Sequence, residues 1–568
     1  MQDNNSSDQD KNSPQNDNNN NNYYQVLPAN PPKSGCGGYG CLTGCGVGCI
    51  VLIIILAITG FLIYAYCIKG VPLQISPETT VITTPLKSDG KSVDYLSVIK
   101  EKTEPANPPK NNGFKDVLAA YGKELFVKNT QEDIDHGWIF AELCKKIELD
   151  PNFTPSHIYE KPDFYADLLG KINEKDGVDE IKEVYKDKGE GTQLFDEYEN
   201  AESNIFKNVL SKNWSIKKYP KLEEWLNKVN SGLDIVQKAT TEEHYFIPMI
   251  QRNENELAIL ALSPPVIAAH QNLTHGLQVR SMLLIGEGNF SKAWDNMIAS
   301  FRLQRRLENK GIKLFDNKAK QVASQITITL AESSSNWTPE QLNKAIADLE
   351  SIPPSPKREE LLLVAQYTLL DIFSMAGNPQ QLVESVSGRS INSHQTGEQL
   401  EGLVNLLKIV GFNWNIVAKK LNESIATHQK TINDSDTEKI LNTKDKETQL
   451  EMEKFINESV IKLQHKLHTM ITVAGRSEIV GFVLGEIIPA LEKHIFKQSL
   501  NDEVRYRFLQ TIFTIELYKL ENQKYPESTE QLKLNPPKIS AIKTNYKLTD
   551  KGYKISIGEL EFTKQQSN

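Results

Sequence analysis

The run from Cys41 to Ile68, CLTGCGVGCIVLIIILAITGFLIYAYCI, contains no charged side chain. A helix needs about 20 consecutive apolar residues to cross the hydrocarbon core of a bilayer, and this run is longer than that. A helix that is apolar on every side is stable in lipid or deep inside a large core, and badly placed elsewhere. The expectation is a single membrane span acting as a signal anchor. A cleaved signal peptide fits poorly, because the run begins far from the N-terminus, has no basic leader and exceeds the usual core of about 7–15 residues. Leu42-Thr43-Gly44-Cys45 has the composition of a lipoprotein cleavage box, but such a box ends an apolar run and here the run follows the cysteine.

The run has two halves. Ile50 to Ile68 reads as a lipid-facing helix closed by Tyr64 and Tyr66, aromatic residues that favour the membrane–water boundary. The first half, with the residue before it, sets Gly40, Gly44 and Gly48 four apart, beside Cys41, Cys45 and Cys49 at the same spacing. In a helix this is a ridge of small residues along which two backbones approach closely, so a homodimer through the membrane helix is the partner it implies. Two other readings stay open: a metal site from Cys36, Cys41, Cys45 and Cys49, whose spacing fits no standard zinc or iron–sulfur pattern, and a Gly-rich lead-in with no partner. Lys33 before the run and Lys69 after it give almost no charge bias. The short polar N-terminal side suggests a cytoplasmic N-terminus and an exported C-terminal part.

On either side of the run the composition is ordinary. Residues 1–34 are rich in Asn, Asp, Gln and Ser and bury too little apolar surface to order themselves. Residues 69–113 scatter six prolines among Ser, Thr and Lys and read as a tether. The first 68 residues hold two of the 64 basic and four of the 73 acidic side chains, so the remainder keeps a net charge of −7. That acidity argues against nucleic acid as a partner. Arg302, Arg305 and Arg306 read as a solvated helix face.

From residue 114 to 500 the periodicity is helical, with a candidate break near 190–220. Leu222, Trp225, Leu226, Val229, Leu233 and Val236 recur at three- and four-residue spacing. Thr338-Pro339-Glu340-Gln341 has the form of a capping box with proline in the first turn. The helix it opens should stop at Pro353-Pro354, and another should run from Pro356 to Gly377. Further helices are expected at 397–409, 412–427, 447–473 and 479–498. Met282 to Trp294 reads as a helical hairpin turning at Gly286-Glu287-Gly288. Residues 501–568 form a separate piece: an apolar helix from Arg507 to Leu520, then Tyr546–Leu548 and Tyr553–Ile557 as a β-hairpin around Asp550-Lys551-Gly552. The expected fold is mainly α: one transmembrane helix, a large helical bundle or irregular α-solenoid, and a small C-terminal α+β piece.

Familiar chemistry finds no foothold. No H-E-x-x-H is present; His465 and His468, and His270 and His275, lack a third ligand. Gly90-Lys91-Ser92 lacks the upstream glycine of a phosphate loop. Cys144, the one cysteine beyond the run, reads as a core residue. No catalytic residue, metal or cofactor is expected.

Several motifs together resemble a family of membrane-anchored, largely helical proteins without established function, common in planctomycete-group bacteria. Trp225-Leu226 through Tyr245-Phe246-Ile247-Pro248 is similar to its first helix pair, and Leu283 to Trp294 with Leu303-Gln304-Arg305 to its L-x-x-G-x-x-x-x-A-W hairpin, here with Ile285 at the leucine position. Phe412-Asn413-Trp414 with Leu421-Asn422 is similar to its D-W-x-x-V helix, with Asn413 in place of the acid. Glu516-Leu517-Tyr518 to Leu532 is similar to its Y-P-x-S ending, with Gln523 in place of a glycine. The same ending is similar to the Y-P module of pilins and secretion pseudopilins, although there the helix continues the membrane helix directly. The resemblance implies a bacterial envelope location and carries no catalytic residues. The expected role is a non-enzymatic single-pass protein whose exported domain binds an unknown protein partner or organises the envelope. An accessory of a secretion or pilus-like system, or an enzyme acting on envelope polymers, are the alternatives.

Overall fold

The computed structural model of the protein describes residues 71–126, 133–157, 214, 220–251, 264–308, 318–376, 412–431, 437, 439–440, 473–532, 534–535, 542–550 and 552–565. The tail, the apolar run with Gly40, Gly44, Gly48, Cys41, Cys45 and Cys49, the helix expected at 397–409 and all but residue 473 of the one expected at 447–473 lie outside them. So does all of the 190–220 break except residues 214 and 220. The described chain is mainly helical with a small C-terminal sheet. Among the described residues no helix is long and apolar enough to cross a membrane.

The elements in chain order are α1 (Tyr95–Thr103), α2 (Gly113–Tyr121), α3 (Asp133–Lys146), α4 (Pro220–Ala239), α5 (Pro264–Gly286), α6 (Phe290–Glu308), α7 (Lys318–Ser333), α8 (Pro339–Ser351), α9 (Arg358–Ala376), α10 (Trp414–Thr431), α11 (Val473–Asn522), β1 (Asn545–Thr549), β2 (Gly552–Ile557) and β3 (Leu560–Gln565). The six apolar residues read from the periodicity of α4 are all buried. The hairpin of α5 and α6 turns where expected. Gly288 takes φ +76°, the left-handed region that a side chain resists, and the Asn289 amide returns to the Leu284 carbonyl at 2.8 Å. α8 carries the full capping box: Gln341 N–H donates to Thr338 Oγ1 and the Thr338 amide donates back to Gln341 Oε1.

α11 is the spine. Its 50 residues span about 75 Å at 1.5 Å per residue, and α7, α8, α9, α10 and the sheet all pack on it. The expected boundary at residue 500 is therefore corrected: the stretches read as 479–498 and 507–520 are one helix. Lys497 to Val504 contains no glycine or proline to stop it, and Arg505 pairs with Asp502 one turn back. α10 lies close against the start of α11 because α11 offers Gly481 and Gly485 there. A Cβ on Gly485 would sit 2.7 Å from the Ser424 Cβ, and Ser424 Oγ donates to the Gly485 carbonyl at 2.6 Å.

The expected C-terminal hairpin is present, with Thr549 opposite Gly552, and a third strand completes a sheet of order β1-β2-β3. The chain enters β3 (LEFTKQ) through a turn at Gly558-Glu559, where Gly558 takes φ +58°, and the glycine with the Leu560–Phe562 alternation after it is the local signal of this strand. Tyr553, Ile555 and Ile557 on β2 are buried. Tyr525 packs on Tyr553 at 5.0 Å, and Tyr546 donates to the Pro526 carbonyl at 2.7 Å, so the Tyr-Pro corner fastens the sheet to the end of α11.

The largest correction concerns residues 71–113. They do not form a free tether. Val71 pairs in parallel with Asn413, α1 packs on α9 with Tyr95, Leu96, Val98 and Ile99 buried, and Asn112 pairs with His244. The prolines punctuate short docked segments whose apolar residues (Val93, Tyr95, Leu96, Ile99) belong to the common core.

Replacing Gly485 with Val should separate α10 from α11 and lower stability by about 1–3 kcal/mol, the usual cost of overpacking a close contact. Thermal unfolding followed by circular dichroism checks this; a midpoint unchanged from the parent would refute the close-approach account.

Candidate functional site

Among the described residues, polar chemistry concentrates where the segment from Val71 to Lys87 lies along α10 and α9. The segment's contacts climb the helix in order. The Val71 amide donates to the Phe412 carbonyl at 2.7 Å, and the Trp414 amide donates to the Val71 carbonyl at 3.1 Å. Asn415 Nδ2 donates to the Pro72 carbonyl, and its Oδ1 accepts from the Gln74 amide. Lys419 meets Glu78 at 3.1 Å. Asn422 Nδ2 reaches the carbonyls of Glu78 and Thr79, both at 3.0 Å, while its Oδ1 accepts from Gln366 of α9. Positions 415, 419 and 422 share one face of a helix, so a strap laid on that face is held once per turn. Asn413, where the resembled family has an acid, caps α10 by accepting from the Asn415 amide, and its own amide donates to Ser477 Oγ on α11.

The strap ends in a buried ion pair. Lys87 Nζ lies 2.9 Å from Asp371 Oδ1, with side-chain exposures of 4% and 2%. Tyr95 stands beside it, donating to the Thr80 carbonyl at 2.9 Å and packing on Tyr367 at 5.5 Å. Burial, then the Asp371 charge, pushes the Tyr95 phenol well above its ordinary range, so it stays a neutral donor. Three polar groups in a dry place can suggest catalysis. Here each is spent on a neighbour: the ammonium on Asp371, the hydroxyl on a carbonyl. The arrangement locks the strap to α9.

A second buried node joins α6, the loop after α8 and α11. Arg305 lies 2.8 Å from Glu503, with side-chain exposures of 0% and 6%. The same Glu503 oxygen accepts from the Ser355 amide at 3.2 Å, and Arg305 also donates to Ser355 Oγ. The expected solvated face is thus corrected. Arg305 is buried, Arg302 pairs with Asp348 at 2.9 Å, and Arg306 turns toward the carbonyls of Glu242 and Glu243. Burial favours protonation of Asp348, but donors from Lys344, Trp294 and Arg302 outweigh it and hold the carboxyl below its ordinary range. The helical period of these arginines was visible; their acidic partners, 46 and 198 residues away, were not.

The remaining candidates are structural. His270 is buried, with Nδ1 donating to the Val266 carbonyl at 2.7 Å and Nε2 accepting from Tyr245 at 2.9 Å. Burial lowers its pKa to about 4, so it is neutral and has no free nitrogen for a metal or a proton transfer. Cys144 is buried, and burial raises its thiol to about 11, leaving essentially no nucleophilic thiolate near neutral pH. Gly90-Lys91-Ser92 forms a turn between Leu86 and Val93, and the helix after it is capped by the Asp94 carboxylate, which would repel a phosphate. Among the described residues no group of three acidic, histidine or cysteine side chains could hold a metal ion. His465, His468 and the glycines and cysteines of the small-residue ridge lie outside the described residues.

No protein-family model, curated protein or solved structure matches this chain.

Two outcomes follow from the buried groups. Glu503→Ala leaves the buried Arg305 charge without its carboxylate and should cost about 3–5 kcal/mol, while Arg305→Met combined with Glu503→Leu should recover most of that loss. Urea unfolding of the single and double variants checks it; equal losses in both would contradict the pairing. For His270, the unfolded chain takes up a proton near pH 6.5 that the folded chain refuses until about pH 4. Stability contributed by the neutral ring is full above pH 6.5 and falls by about 3 kcal/mol as pH drops to 4. His270→Gln should flatten that part of the curve; an unaltered slope in the unfolding midpoint between pH 7 and 4 would contradict it.

Proposed function

We propose that this protein is a non-enzymatic, single-pass protein of a bacterial membrane. Its N-terminus lies in the cytoplasm, and its helical domain is held outside as a scaffold for protein partners. The observation that carries this reading is the uncharged run at 41–68 followed after two residues by the strap at Val71. A span joined to a folded body by a locked strap transmits position without needing chemistry of its own. The likeness to membrane-anchored helical proteins of planctomycete-group bacteria supports the same reading. It rests on motifs that fall at structural joints: the hairpin turn at Gly288, the Asn413 cap and the Tyr525-Pro526 corner.

One observation favours a second reading, an accessory of a secretion or pilus-like machine. α11 runs into Tyr525-Pro526 and then a three-stranded antiparallel sheet, the order of parts in the pilin ending. In this chain that helix begins at Val473, far from the uncharged run.

Affinity capture of the full chain from detergent-solubilised bacterial membranes tests both. The scaffold reading expects the chain to remain in the membrane pellet after alkaline extraction and to bring down the same partner proteins in every replicate. A chain released by alkali, or one that reproducibly comes down alone, contradicts it. Partners drawn mainly from a secretion assembly transfer the weight to the second reading.

A further inference from the structure

The strap sets how far the helical domain can stand from a membrane. The uncharged run ends at Ile68 and Val71 is already bonded on both sides to residues 412 and 414, so only Lys69 and Gly70 lie between them. Three residue steps reach at most about 11 Å when fully extended. The headgroup layer beyond the hydrocarbon is itself about 5–8 Å deep on each side of a bilayer. A helix end anchored at the hydrocarbon edge therefore brings Val71, and with it the first turn of α10, to the headgroup layer or its border.

The strap cannot swing out to lengthen the join. Backbone pairing at Val71, the Asn415 and Asn422 side chains, and the buried Lys87–Asp371 pair hold it along its length. It is also the part of the described surface that exposes the most bulky apolar side chains. Of the five large hydrophobic residues exposed there, Val71 (37%), Val81 (37%) and Leu86 (42%) belong to the strap. Val81 holds φ +65°, a conformation that a β-branched residue avoids, with the Ile82 amide closing back on the Thr80 carbonyl at 2.7 Å. The turn keeps an apolar side chain outside where packing alone would draw it in.

We infer that the helical domain is seated directly on the bilayer, with the strap and the first turn of α10 in contact with lipid headgroups, instead of hanging on a stalk. The inference rests on the proposed membrane span. A photoreactive p-benzoylphenylalanine in place of Val71 or Leu86 tests it, with the same residue in place of Leu548 on β1 as reference, in full-length protein reconstituted into phosphatidylcholine vesicles. The result expected is a lipid adduct, read by mass spectrometry, severalfold more abundant at 71 than at 548, with 86 also above 548. Protein that floats with the vesicles after alkaline extraction but gives equal adducts at all three positions overturns the seat and leaves the span standing. Protein that fails to float overturns both.

Discussion

The attachment of α7, α8, α9, α10 and the sheet depends on one helix staying continuous for 50 residues. An isolated helix gains little from length in water, and most helical stability in proteins comes from burying an apolar face. α11 has no single apolar stripe. It is buried on different sides along its length, by α10 near Gly481 and Gly485, by α8 and α9 further on, and by β2 and β3 at its end. Phe513 illustrates this: it stacks on Trp337 at 5.0 Å and meets Trp294 edge-on at 5.4 Å, so one residue of the spine gathers α6 and the start of α8. Breaking the helix anywhere would separate these contacts.

Charges buried along the same spine fix the register in which its neighbours attach. Apolar side chains are tolerant of sliding, whereas Glu503 is satisfied only when Arg305 and Ser355 arrive together, and Glu516 only when Tyr553 of β2 lies over it at 2.9 Å. Desolvation makes such groups expensive to leave alone, so a misplaced neighbour is penalised more strongly than a correct one is rewarded. The Lys87–Asp371 pair extends the same logic to the N-terminal strap, which would otherwise be a proline-rich segment with little to hold it.

What the sequence made legible follows from the range of the interactions. The capping box at Thr338, the α5–α6 hairpin and the β1–β2 turn were readable because each is decided within a few residues. The docked strap and the buried ion pairs were not, since Lys87 and Asp371 meet across 284 positions. One signal was available: Asp371 sits in the apolar stretch LLLVAQYTLLDIF, and Glu516 in TIFTIELY, where a lone acid implies a buried partner. Proline count proved a poor guide to freedom, because a proline-rich segment needs only a few side-chain anchors to become part of a core. The small-residue ridge at Gly40, Gly44 and Gly48 lies outside the described residues, and its role stays with the sequence reading.

Residues 71–103 belong to the same cooperative body as α10 and α11. Native-state hydrogen exchange of the full-length protein, resolved by peptide, measures this directly. Amides of Val71, Trp414 and α1 should exchange slowly and lose protection together with those of Leu500 to Ile515 as denaturant is added. Exchange of residues 71–103 at the rate of an unstructured chain, while α11 remains protected, would return the segment to a tether outside that body.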